Sequence, residues 1–244
     1  MAKKEKVSGA EERRQRIKKM AAEKQSGGTA LLALPSDVEL YKPKAKEKAR
    51  ISILLYPVSS DHHPQVKKGQ LWYERTYWSH YNIGPEQRSF ICPKSVGKPC
   101  PICEEYQKLR KDDDADEEVV NGLRAKERQL FNVLLDGEDE VKILDISYHN
   151  FGRLLEEEIN EGDDSVAGFA EFEGGKLLRV RWVEASMGKT KFVEAGKIDF
   201  LDRDDLDPDG LSVHDLDALL KVPTYDELQK QLFGLDEDSD DEDD

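Results

Sequence analysis

Three cysteines and a histidine are the residues of this chain whose types and spacing could do chemistry. Cys92, Cys100 and Cys103 fall within the stretch "CPKSVGKPCPIC", and His80 lies upstream in "YWSHYNIGPEQRSFICP". One histidine, eleven residues, a cysteine, seven residues, a cysteine, two residues and a last cysteine give four soft or borderline ligands with one close pair. That is the donor set of a closed tetrahedral zinc site, in which no coordination position is left for water. The expectation is therefore one structural Zn2+ held by His80, Cys92, Cys100 and Cys103, with His62 and His63 as alternatives for the histidine. A zinc deaminase would need His-x-Glu ahead of Pro-Cys-x-x-Cys, but Pro64, Gln65 and Asn82 stand where that glutamate would be. A thioredoxin-type pair would leave the third cysteine unexplained. No catalytic constellation is indicated, and the protein is expected not to be an enzyme.

The strand before this site is the second informative stretch. In "LWYERTYWSHY", alternation puts Tyr73, Arg75 and Tyr77 on one face and Trp72, Thr76 and Trp78 on the other. Rings beside cations on a sheet suit an unpaired base, which stacks on any aromatic face while its phosphate seeks Arg or Lys. Lys67, Lys68 and Arg88 add charge close by.

Elements that would position these residues follow from periodicity. "ARISILLYPV", "QLWYERTYWS", "QLFNVLLD", "EVKILDIS", "KLLRVRWVEA" and "TKFVEAGKIDF" read as strands, and "YHNFGRLLEEEIN" places Phe151, Leu154, Leu155 and Ile159 at helical spacing. Five or six strands with one helix inserted late fit a mainly β fold, an OB-fold built as a five-stranded Greek-key barrel, with an inserted zinc-binding subdomain at about 78–127. Two short helices are expected in "LSVHDLDALLK", capped by Ser212 and Asp215, and in "TYDELQKQLFG", capped by Thr224 and Glu227 and ended by Gly234. "DLDPDGLSVHDL" lacks the twelfth-position glutamate of a calcium loop and reads as an acidic turn, and "MGKTKF" reads as a hairpin turn.

Charge divides the chain. Residues 1–110 carry 22 Lys and Arg against 12 Asp and Glu, whereas residues 111–244 carry 15 against 40. The organisation expected is a basic arm over 1–34, helical around 11–25; a core over 35–234; and an acidic tail over 235–244. In that tail Asp236, Glu237, Asp238, Asp240, Asp241, Glu242, Asp243 and Asp244 repel one another too strongly to fold. A tethered polyanion can occupy a basic groove until another polyanion displaces it. No apolar run approaches the roughly 20 residues of a membrane span, and the basic start has no signal core, so a cytoplasmic protein without membrane contact is expected.

With "SHYNIGPEQRSFICP", "GKPCPICEEY", "RQLFNVLLD", a basic arm and an acidic tail, the chain resembles the helix-destabilising single-stranded-DNA-binding proteins of T-even-type phages over roughly residues 45–235. The resemblance implies an OB fold with a zinc subdomain bound by one His and three Cys, here His80, Cys92, Cys100 and Cys103, and base stacking by Tyr73, Tyr77 and Tyr81. It implies coating of single-stranded DNA without sequence preference in phage replication, recombination and repair. It further implies self-association along the strand through the arm, and recruitment of replication and recombination proteins by the tail, in the host cytoplasm. The arm departs from the family's compact Lys/Arg-Ser/Thr motif, and the tail is short. A zinc-stabilised adaptor that binds protein through its acidic tail is the alternative reading of the same features.

Overall fold

The structure is a computed structural model that describes residues 31–36, 38–188 and 190–234. The expected helix around 11–25, nearly all of the basic arm and the whole acidic tail lie outside the described residues.

Strands dominate what is described. They are β1 (Lys48–Leu54), β2 (Tyr56–Pro57), β3 (Leu71–Trp72), β4 (Arg75–Ile83), β5 (Arg88–Ile91), β6 (Lys126–Leu135), β7 (Val141–Ser147), β8 (Lys176–Met187) and β9 (Thr190–Asp202). The helices are α1 (Pro101–Leu109), α2 (Glu117–Leu123), α3 (Gly152–Glu161) and α4 (Tyr225–Phe233). Seven strands form one antiparallel sheet in the order β5-β4-β6-β1-β8-β9, with β7 also on β6, while β2 and β3 pair separately. The long β6 organises it. Its first half pairs with β4, from Ser79↔Lys126 to Arg75↔Leu130, and its second half pairs with β1, from Leu54↔Asn132 to Ile51↔Leu135.

Among the described residues no ladder joins β9 to β7, so the sheet is open and is not the closed five-stranded barrel expected. Instead, Leu40 bridges Ile143 on the far side of β7. The helix α3 packs on the larger core with the apolar spacing read from sequence: Phe151 just before it and Leu155 are buried, and Leu154 and Ile159 pack partly buried beside them.

Two cores lie on the two faces of the sheet because side chains alternate along each strand. Phe131 and Val133 of β6 join Ile51, Ile53, Val180, Trp182 and Ile198 in the larger core, where Phe151 stacks on Trp182 at 5.5 Å between centroids. Leu130, on the other face of β6, joins Tyr77 and Ile143 beneath Leu31, Leu32, Leu216 and Leu219. The second core is thus made by segments from both ends of the described chain.

That covering explains a correction. Residues 211–221 form turns and no helix. Leu220 bridges Leu32, Leu216 and Leu219 are plugs in the core, and Asp215 accepts from the backbone N–H groups of Asp217 and Ala218 as a local turn. Tertiary burial and side-chain turn bonding outweigh the capping pattern. The second helix, α4, forms as read: Thr224 and Glu227 cap each other's backbone, and Gly234 closes the helix at a φ of 65°. The turn after Met187 joins β8 to β9 as a hairpin, and Asp207 accepts from the N–H of Asp209 in an acidic turn. No helix among the described residues is long and apolar enough to cross a membrane.

Candidate functional site

Each ligand candidate is placed by a different local device. His80 stands on β4, opposite Phe90 of β5. Cys92 follows the end of β5, and Pro93 then opens a 3-10 turn through Val96 that Gly97 ends in a left-handed conformation, φ 70°. Cys100 is the residue before α1, Pro101 fits the first helical position where no N–H is needed, and Cys103 falls in the first turn on the same side. The Pro-Cys-Pro-x-Cys stretch therefore folds both sulfurs of the close pair toward one point.

They meet there. His80 Nε2 lies 3.5 Å from Cys100 Sγ and 3.6 Å from Cys103 Sγ, Cys92 Sγ lies 3.5 Å from Cys103 Sγ, and the four donor atoms all fall within 4.8 Å of one another. A tetrahedron with Zn–S near 2.3 Å and Zn–N near 2.05 Å has N···S edges of about 3.6 Å and S···S edges of about 3.8 Å. The spacing fits, and the buried cluster could hold a metal ion. Leu123 O lies 3.0 Å from His80 Nδ1 and can accept its proton, which leaves Nε2 as the lone-pair nitrogen facing the sulfurs.

The cluster pairs a thiolate at Cys100 with a protonated His80, so a metal taken up at Nε2 would displace that proton. Hydrogen bonds from Cys103 first and then Cys92 hold Cys100 well below the usual thiol range, while Cys92 is pushed up by Cys100 and Cys103. Burial acts to lower His80, but the sulfurs of Cys100 and Cys103 outweigh it and bring the imidazole up to about 9. The alternatives for the histidine are elsewhere. Buried His63 has its Nε2 3.0 Å from Glu74 O, and His62 packs its ring where a side chain on Gly97 would sit.

The lobe around these ligands is small, with Ile83, Ile102 and Leu228 as its buried apolar residues. Leu228 comes from α4, which also hydrogen-bonds Glu104 through the Tyr225 hydroxyl at 2.7 Å. Gly84, with a φ of 68°, admits this helix, because a Cβ there would strike the backbone of Gln231. The strand β5 and the helices α1 and α2 are elements that strand and helix periodicity did not find. Asp116, which caps α2 by accepting from Glu118 N at 2.8 Å, was the available signal.

The expected DNA-contacting residues divide into two groups. Arg75 and Tyr77 are wholly buried, a correction to their reading as groove residues. Arg75 pairs with Asp217 at 2.5 Å and donates to Thr76 O and Ser95 O, so it ties β4, the metal-side turn and the 211–222 segment together. The Tyr77 hydroxyl donates to Asp145 Oδ1 at 2.9 Å, and Arg128 Nε donates to the same oxygen. Tyr73 packs into the larger core, edge-on to Phe169 at 5.1 Å, and burial pushes its hydroxyl above the usual tyrosine range. The causes differ: Tyr73 precedes β4 and is taken up by the larger core, whereas Tyr77 on β4 lies beneath Leu31, Leu32, Leu216 and Leu219.

Lys67, Lys68, Tyr81 and Arg88 stay at the surface. Lys68 lies 3.6 Å from Asp61. Tyr81, half-buried, has Lys126 Nζ over its ring at 5.5 Å, and the exposed Arg88 guanidinium covers Phe90 at 5.4 Å. Phe90 and Lys126 were not anticipated; Arg-x-Phe spacing on a strand was the legible part of that signal. Compared with models of known protein families and with curated protein sequences, the chain matches none.

Proposed function

We propose that this chain is a single-stranded-DNA-binding protein that coats unwound strands without sequence preference in phage replication, recombination and repair. One observation carries the reading: Tyr81 under Lys126 and Phe90 under Arg88, two rings paired with cations on the strands that carry His80 and lead into Cys92. A base can stack on such a ring, and the cation beside it can take the phosphate.

The four-ligand cluster would hold zinc, which supplies a cross-link and no reaction. His80, Cys92, Cys100 and Cys103 then fix β5 and α1 against β4, so that the rings are displayed on a rigid edge. The open sheet is the OB-type platform of this reading, and binding has no catalytic step. The basic arm serves self-association along the strand, and the acidic tail serves recruitment of replication proteins.

Fluorescence titration of the metal-loaded protein with single-stranded and duplex oligonucleotides at two salt concentrations tests it. The expected result is salt-sensitive binding to the single strand with tyrosine or tryptophan quenching. No binding at low salt, with or without residues 236–244, rejects it in favour of the zinc-stabilised adaptor.

A further inference from the structure

The outer face of the sheet is covered nearly everywhere. Leu31, Leu32, Leu216 and Leu219 lie over Tyr77, Leu130 and Ile143, and Leu206, Leu211 and Val213 pack against Leu54 and Leu134. Among the described residues nothing covers the other end of the sheet from β4 and β5, where β1, β8 and β9 run side by side.

Register makes that part unusual. Lys48 on β1 pairs with Arg181 on β8, which pairs with Lys197 on β9. Ala49, Val180 and Ile198, the next residues along, point into the larger core, so the three cations point away from it. The adjacent outward row is Arg50, Arg179 and Asp199. Two rows of three thus hold five cations and one carboxylate, in a chain whose net charge is −15.

Like charges directly opposite on a sheet destabilise it, and the partners present do not cancel these. Asp199 is shared by Lys197 at 2.6 Å and Arg179 at 3.1 Å, and Arg50 reaches Asp136 at 3.2 Å. Lys48 and Arg181 form no ion pair among the described residues. Folding alone gives no reason for lysine, arginine and lysine in one cross-strand row. A polyanion does, because it would turn the repulsion into three favourable contacts.

We infer that the outer face of β1, β8 and β9 is a phosphate track, on which the two rows centred on Lys48–Arg181–Lys197 and Arg50–Arg179 hold successive phosphates of a single-stranded nucleic acid. The inference rests on the reading of the protein as a single-strand binder and extends that interface to the other end of the sheet. Rows two residues apart are separated by about 7 Å and each is about 10 Å wide across three strands. No ring of the chain lies in these rows, so the surface reads charge and leaves base stacking to the β4–β5 end.

The test compares the metal-loaded full chain with K48Q/R181Q in salt-dependent binding of a mixed-sequence single-stranded oligonucleotide. K176Q/K191Q is the control. It removes the same charge from the same hairpin, but from ammonium groups already held by Asp202 and Glu184. Each phosphate that is no longer neutralised lowers the slope of log K against log salt by about 0.7. K48Q/R181Q should therefore lose about 1.4 from the slope, so that a fourfold rise in salt weakens it about sevenfold less than the wild type, while the control keeps the wild-type slope. Its melting temperature should equal or exceed that of the wild type, since repulsion is removed. An unchanged slope in K48Q/R181Q with intact wild-type binding overturns the track and leaves the single-strand reading standing, as does an equal fall in the control. Polyglutamate that binds the wild type but not K48Q/R181Q, with oligonucleotide binding untouched, assigns the surface to an acidic protein and also overturns it. Failure of the wild type to bind any single strand rejects the underlying reading instead.

Discussion

The larger core and the metal lobe solve the same problem with different means. In the larger core, aromatic and aliphatic residues from five strands and α3 interlock, with Trp182, Phe131 and Phe151 at the centre. In the lobe the buried cluster is Ile83, Ile102, Leu228 and three cysteines. Apolar burial contributes about 1.5–3 kcal/mol per large side chain, so three such residues cannot offset the ordering of β5, α1, α2 and their loops at about 1–2 kcal/mol per residue. The sheet can hold itself together by packing, whereas the lobe needs a cross-link. On the proposed reading a metal held where the three cysteines gather supplies that cross-link.

The largest effect expected from breaking this contrast is at Cys100. Cys100→Ser should release the metal and unfold the lobe while β1, β6 and β8 keep their amide-exchange protection; unchanged metal content and stability would sink the cross-link. Trp182→Ala should do the converse. It should cost about 3–5 kcal/mol in global unfolding and leave metal stoichiometry intact.

Glu74 sharpens the comparison at the seam between the regions. Its carboxylate is buried, accepts from Gln65, Thr76 and Gln129, and forms no ion pair among the described residues, so burial brings its pKa from 4.5 to about 7. A carboxyl whose folded pKa is raised stabilises most below 4.5, and that contribution is lost as pH rises through about 7. Glu74→Gln should therefore flatten stability between these values and gain up to about 3 kcal/mol above pH 7. Chemical unfolding at several pH values would show it, and an unaltered pH profile would contradict it. The smallest effect concerns function. Tyr81→Ala should weaken single-strand binding by about 1–3 kcal/mol with little loss of stability, in contrast to Tyr77→Ala, which should destabilise first.

The ligand set was legible because the sequence itself brings three cysteines together and the alternation of β4 supplies one well-placed histidine. Strands β6 to β9 and the capping box of α4 were legible for similar local reasons. The faces of β4 were not. Alternation separates Tyr77 from Trp78, but only the long-range pairing of Leu32 with Leu220, and of Arg75 with Asp217, determines that both faces are covered. The same long-range fact removed the helix expected at 211–221. Likewise the run of alternating lysines before Arg50 is visible in the sequence, yet its meaning depends on the register that sets Lys48 beside Arg181.

Leu228 in the metal lobe also fixes an order of events. All four ligands have left the ribosome soon after Cys103, but the side chain that finishes their apolar surroundings is encoded 125 residues later. At about 5–20 residues per second, the nascent lobe waits on the order of ten seconds with one flank open to water. Leu31 and Leu32 wait longer, since Leu216 is encoded 185 residues after Leu31. The newborn chain is thus most prone to associate with its neighbours before residues 216–228 emerge, and two latches from that one stretch end the exposure almost together.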